Sequence, residues 1–159
     1  IKVAMVDDHI LLRSGLAAVI NAFGDCNIIS EADNGKKFIE KLDKNNLPDV
    51  VLLDITMPEM DGFETAKWLK ENHPDIRILV LSMMDDDSSI IKMLKFGARG
   101  YLLKDSKPAV LHVLSESLLG ELLNLELPRH LWLELPGFML AAQPGVAPSP
   151  NSTASVWRH

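Results

Sequence analysis

Cysteine, positive charge and long apolar runs are all scarce in this chain. A single cysteine, Cys26, leaves no partner for an internal disulfide. That fits a reducing, cytoplasmic setting. No uninterrupted apolar run reaches the ~18 residues that a membrane-spanning helix needs, so no membrane contact is expected. Net charge is −6, which sets nucleic acid aside as a partner of this chain by itself. No charged-then-apolar leader opens the chain. Its first residue is Ile1 rather than Met, which points to a trimmed or processed start.

What is present is ordinary globular material. The chain is 47% hydrophobic and 24% charged over 159 residues, enough for one core and a small appendage. The stretch from Asp49 to Gly62, DVVLLDITMPEMDG, organises the rest. Val50 to Leu53 are continuously apolar, as in a strand buried on both faces. The run stops at Asp54, and Pro58 and Gly62 mark a loop. A carboxylate there would stand at the carboxyl end of its strand, where open parallel sheets place ligands. Taken alone, Asp54 would more simply cap the next helix or turn.

The remaining elements alternate in the same manner. Strands are expected at Ile1–Val6, Cys26–Ala32, Arg77–Ser82 and Tyr101–Lys104. The second is less apolar and therefore belongs at an edge. Helices are expected at His9–Phe23, Lys36–Lys44, Gly62–Asn72 and Ser88–Phe96, with a fifth beginning near Ser106. Ile10, Leu11, Leu16, Ala17, Val19, Ile20 and Phe23 recur at spacings of three and four, so the first helix should face a core with them. Gly97 and Gly100 should bracket a turn into the fifth strand. Strands alternating with helices predict a doubly wound α/β domain with a parallel sheet, covering about residues 1–120.

A parallel sheet gathers its strand ends on one edge. Here that edge receives Asp7 and Asp8, then Asp54, Ser82 and Lys104. Asp7 and Asp8 alone would be an acidic pair favoured by a helix dipole. Three carboxylates together are costly, because unit charges ~4 Å apart repel by about 4 kcal/mol at an effective dielectric near 20. Either their pKa values rise or a cation joins them. An all-oxygen pocket suits a hard divalent ion, and Mg²⁺ is the usual one beside phosphate. Lys104 and Ser82 add a cation and a hydroxyl for phosphoryl oxygens, and Asp54 is the natural nucleophile. His9 reads as a solvated helix-start residue, Asp85–Asp87 as a solvated loop, and Met57, Met60, Met83 and Met84 as packing.

VDDH at 6–9, LLDITMPEMDG at 52–62, VLSM at 80–83 and GARGYLLKD at 97–105 resemble the receiver domain of two-component response regulators. DDHILLRSGL further resembles the subfamily with a LuxR-type helix-turn-helix output domain. The resemblance covers roughly residues 1–120. It implies a flavodoxin-like, five-stranded sheet in the order 2-1-3-4-5. It implies that Asp54 accepts a phosphoryl group from a phosphohistidine of a sensor histidine kinase. Asp8 would bind Mg²⁺ directly, Asp7 mainly through water, and the Thr56 backbone carbonyl would complete the protein's share with Asp54. Ser82 and Lys104 would contact the phosphoryl oxygens. Tyr101 would change rotamer as Ser82 is drawn toward the phosphate. A homodimer through the first and fifth helices, or through an extended fifth helix, is a further implication. Two departures stand out: Asp105 follows Lys104 where a proline is common, and Met83 is bulky enough to crowd the pocket entry.

Two competing functions are weaker. An aspartyl-nucleophile phosphatase needs an acid two residues after its nucleophile, where Thr56 stands. A flavin-binding, flavodoxin-like module needs uncharged backbone after the first strand, where Asp7 and Asp8 would repel phosphate. The tail, residues 121–159, differs from the rest. Residues 106–159 hold seven charged side chains and no aspartate. Leu111, Leu114, Leu118, Leu122 and Leu125 suggest a long fifth helix that Gly120 weakens. Beyond Pro128 the chain turns Pro-, Ala- and Ser-rich and should be poorly ordered unless it docks. No helix-turn-helix is legible there, so DNA would be reached only through an output domain outside this chain. The tail is expected to be non-native or frame-shifted.

Overall fold

The computed structural model describes residues 1–22, 26–104 and 138–140. Along the chain run β1 (Lys2–Val6), α1 (Ile10–Ala22), β2 (Asn27–Ala32), α2 (Gly35–Lys41), β3 (Val50–Leu53), α3 (Gly62–Asn72), β4 (Arg77–Ser82), α4 (Asp87–Lys95), β5 (Ala98–Leu103) and β6 (Phe138–Leu140). The first five strands are parallel in the order 2-1-3-4-5, so the flavodoxin-like sheet is present with β2 at its edge. Beside β5 lies a sixth strand, β6, paired antiparallel through Gly100 with Leu140, Tyr101 with Met139 and Leu102 with Phe138. The expected fifth helix and the Leu-rich segment lie outside the described residues.

β1, β3 and β4 are apolar at almost every position because helices cover both faces of the sheet. One layer of core packs Val6, Leu53, Val80 and Tyr101 against Phe38, Ala66, Leu69 and Met93. The opposite layer packs Met5, Leu52 and Leu81 against Leu16, Ala17 and Ile20 of α1. α1 buries those three residues alone. Leu11 is 90% exposed, and Ile10 and Val19 are exposed too, contrary to the expectation that they face the core. At 100° per residue Leu11 and Ile20 lie on opposite sides of the helix, so one stripe cannot hold both.

Two boundaries also move. β5 begins at Ala98, not Tyr101, so Gly100 lies inside the strand. The register with β4 slips between Ile78 and Leu79, passing from Ala98 to Gly100, and a glycine tolerates such an irregularity at little steric cost. α2 stops at Lys41, with Leu42 already extended, rather than running to Lys44.

Candidate functional site at the carboxyl edge of the sheet

The ladder continues one residue past several strands, and this fixes the site. The Asp7 amide donates to Ala32 O at 3.0 Å, the Asp54 amide to Val6 O at 2.8 Å and the Lys104 amide to Ser82 O at 2.9 Å. Asp7, Asp54 and Lys104 are thereby held by backbone at the ends of β1, β3 and β5. The β3–α3 loop is pinned from the other side. The Gly62 amide donates to Ile55 O at 2.8 Å, and Asp61 and Glu64 form a reciprocal capping box on α3. Within that loop Glu59 is left-handed at φ 62°. A Cβ at Gly62 would strike the Asp54 carbonyl oxygen and stand 2.7 Å from Ile55 Cα, so only glycine lets the loop close against the strand end.

Asp54 is 2% exposed. Its Oδ1 accepts from the Ile55 amide at 2.7 Å, and its Oδ2 accepts from Lys104 Nζ at 2.6 Å. Burial raises the Asp54 pKa above the ordinary carboxylate value. Lys104 opposes this, and the charge on Asp7 adds to it. The Lys104 ammonium is itself buried and lies 2.8 Å from Asp7 Oδ2. Asp7 Oδ1 accepts from the His9 amide at 2.8 Å, a turn that starts α1. The guanidinium of Arg13 donates to the Asp7 carbonyl and to Glu31 Oε2, fastening the β1–α1 loop to β2.

His9 is the residue that sequence reading underrated. Its side chain is 60% exposed, as a helix-start residue should be, yet Nδ1 lies 2.9 Å from Asp8 Oδ1. The signal was its place directly after two aspartates at a strand end. Ser82 is fully buried, and its hydroxyl accepts from the Met84 amide at 3.2 Å. Tyr101 is buried and donates to the Met84 carbonyl at 2.7 Å. Burial raises its phenol pKa, with a hydrogen bond to Ser82 opposing. Thus Asp7, Asp8, His9, Asp54 and Lys104 form one contact group, while Ser82 and Tyr101 meet on the β4–α4 loop. The side chains of Thr56 and Met83 are exposed. No cis peptide occurs among the described residues, and the bond from Lys104 to Asp105 lies outside them.

The donor chemistry fits a hard divalent cation. Asp7 Oδ2 and Asp8 Oδ1 are both screened from solvent and make no hydrogen bond. Their short approaches to Lys104 and His9 are charge contacts off the hydrogen-bonding direction. Two carboxylate oxygens so placed retain lone pairs for a metal.

An open parallel sheet with aspartates and a lysine at its carboxyl edge defines the receiver class of signalling domains. The model of the response regulator receiver domain matches residues 3–115, and the chain belongs to this family. It is 40% identical over 123 residues to the transcriptional regulatory protein YdfI of Bacillus subtilis strain 168, covering 77% of this chain and 57% of YdfI. It is 38% identical over 121 residues to the nitrate/nitrite response regulator NarL of Escherichia coli K12, covering 76% of this chain and 56% of NarL. Among solved structures, the signal receiver domain of NarL from Mycobacterium tuberculosis superposes with a TM-score of 0.67 at 34% identity, covering 77% of this chain and 95% of that one. A LuxR-family response regulator from Aurantimonas sp. SI85-9A1 superposes with a TM-score of 0.67 at 28% identity, covering 75% and 84%. The chain is a response-regulator receiver domain, similar to those of NarL and of a LuxR-family regulator. It spans about half the length of the curated relatives it matches. No helix among the described residues is long and apolar enough to cross a membrane.

Proposed function

We propose that Asp54 is the phosphoacceptor of this receiver and takes its phosphoryl group from a phosphohistidine of a sensor histidine kinase. The observation that carries this reading is the enclosure of Asp54, 2% exposed, between the Lys104 ammonium at 2.6 Å and the Ile55 amide at 2.7 Å. In the transfer an oxygen of the Asp54 carboxylate attacks phosphorus, the bond from phosphorus to the histidine nitrogen breaks, and a mixed anhydride forms. Lys104 leaves its pairing with Asp54 and neutralises the incoming oxygens; the Ser82 hydroxyl donates to another. Asp7, Asp8, Asp54 and the Thr56 carbonyl would hold Mg²⁺, which supplies charge neutralisation to the phosphoryl oxygens when bound.

The added group carries about −1.5 to −2 charges, and drawing Ser82 toward it breaks its hold on the Met84 amide. Tyr101 then loses its fixed acceptor on that loop and becomes the second half of the switch. The readout face would comprise α4, β5 and the segment after Ser106, or α1 with that segment in a homodimer. Residues 1–120 would form the receiver and 121–159 an appendage. In the longer regulator, DNA binding and transcription control would belong to a separate output domain, and the site of action is the cytoplasm. The test is intact-mass analysis after incubation with a small phosphodonor and Mg²⁺. Wild type should gain one phosphoryl mass and Asp54→Asn none; equal gain in both, or no gain in wild type, defeats the reading.

A further inference from the structure

The imidazole of His9 turns an acidic cluster into a mixed oxygen and nitrogen donor set. Its Nδ1 stands 2.9 Å from Asp8 Oδ1, 3.2 Å from Asp7 Oδ1 and 3.8 Å from Asp54 Oδ2. One donor atom from each of these four residues falls within a 4.8 Å span. Neighbouring ligands of a six-coordinate ion with bonds near 2.1 Å stand about 3 Å apart. The spacings therefore suit a shared ion as well as they suit paired charges.

A further observation points to a ligand. Asp7 is 3% exposed, and its Oδ2, which meets only the Lys104 charge at 2.8 Å, makes no hydrogen bond. Positive charge also already sits among these atoms, since Lys104 Nζ is 2.6 Å from Asp54 Oδ2, 2.8 Å from Asp7 Oδ2 and 3.3 Å from His9 Nδ1. A cation entering here takes over pairing that Lys104 now supplies. The His9 ring is 60% exposed, so it can adjust its angle without repacking the core.

We infer that His9 is a metal-site residue, and that through Nδ1 it gives the cluster a preference for later first-row divalent ions such as Ni²⁺ over Mg²⁺. The inference rests on the reading of Asp7, Asp8 and Asp54 as metal ligands. Mg²⁺ is hard and gains little from imidazole, whereas affinity for sites containing nitrogen climbs from Mn²⁺ through Ni²⁺ to Cu²⁺. The carboxylates alone would set a modest gradient across these ions. The imidazole steepens it, and a later ion held there would compete with Mg²⁺ directly beside Asp54.

The 159-residue chain is titrated calorimetrically with MgCl₂ and with NiCl₂, as wild type, His9→Gln and Asp8→Asn. His9→Gln should weaken Ni²⁺ by about tenfold or more while changing Mg²⁺ less than about twofold. Asp8→Asn should weaken both ions. Pulsed electron paramagnetic resonance of the Mn²⁺-loaded chain should show imidazole ¹⁴N modulation in wild type and lose it in His9→Gln. Equal loss of Ni²⁺ and Mg²⁺ affinity in His9→Gln would overturn the inference. So would ¹⁴N modulation that persists in that variant, the mark of another of the five histidines. Unchanged Ni²⁺ affinity with normal Mg²⁺ binding sinks the role of His9 and leaves the acidic site standing. A wild type that binds neither ion sinks both.

Discussion

At Asp54 burial and ion pairing pull in opposite directions, and burial wins. Its carboxyl titrates above the ordinary value, so the folded state holds its proton more tightly than the unfolded chain does. As pH rises through the unfolded value near 4, the unfolded chain ionises first, and stability falls until the folded-state carboxyl has ionised too. At neutral pH the ionised side chain is therefore a cost to the fold. Asp54→Asn removes that charge and leaves Lys104 paired with Asp7 at 2.8 Å. The variant should be more stable than wild type by on the order of 1 kcal/mol at pH 7, and the gap should close below about pH 4. Urea denaturation at the two pH values checks this; a gap that persists or widens at the acid end refutes it. Tyr101 is shifted upward by the same cause. The sequence announced Asp54 and its partners because each apolar strand ends in a polar residue. It did not announce His9, whose exposed position hides a ring nitrogen turned toward the acids.

The elements owe their positions to short local devices. α4 is capped by Asp86, whose Oδ1 accepts from Ser88 Oγ at 2.6 Å and the Ser89 amide at 2.9 Å. These hydrogen bonds, Ser88 first, pull the Asp86 pKa down to about 2. The cap is whole above the unfolded carboxylate value near 4 and is lost as pH falls toward 2. Hydrogen exchange at the Ser89 amide should thus quicken relative to the core between those values. Asp86→Ala should abolish that dependence, and a flat profile in wild type would count against the cap. At α3 the constraint is steric. Gly62→Ala drives a methyl group into the Asp54 carbonyl, which should cost about 1–3 kcal/mol and lower phosphoryl acceptance in the mass assay by shifting the strand end. Undiminished acceptance with native stability would show that the loop can yield. Element identity was legible from periodicity and turn residues, and α3 and β4 carry the expected limits. β5 was misjudged because Gly100 reads as a turn in one dimension, whereas it occupies an irregularity in the pairing with β4. The outer side of α1 was misjudged because apolar residues wrap most of the helix and only three are buried.

At the scale of the molecule, the topology does what no segment does alone: parallel strands bring residues 7, 54 and 104 to one edge. That convergence was legible, because alternation of strand and helix admits little other than a doubly wound sheet. β6 was not. Phe138–Leu140 is a brief apolar run in a Leu-rich, then Pro-rich tail, and what makes it a strand is an available edge on β5, a non-local fact. The pairing bears on the proposed switch, since Met139 stands opposite Tyr101, the residue whose hydroxyl donates to the Met84 carbonyl. Backbone hydrogen bonds on both sides of β5 should restrain the strand that carries Tyr101. Among the described residues, a chain ending at residue 137 keeps β1 to β5 and loses that outer pairing. The amides of Gly100 to Leu102 that point away from β4 should exchange about tenfold faster or more, as expected when a protected edge opens. The amides shared with β4 should be unaffected. Equal protection in the two chains would mean that β6 adds no restraint, and the coupling from tail to Tyr101 would fall with it.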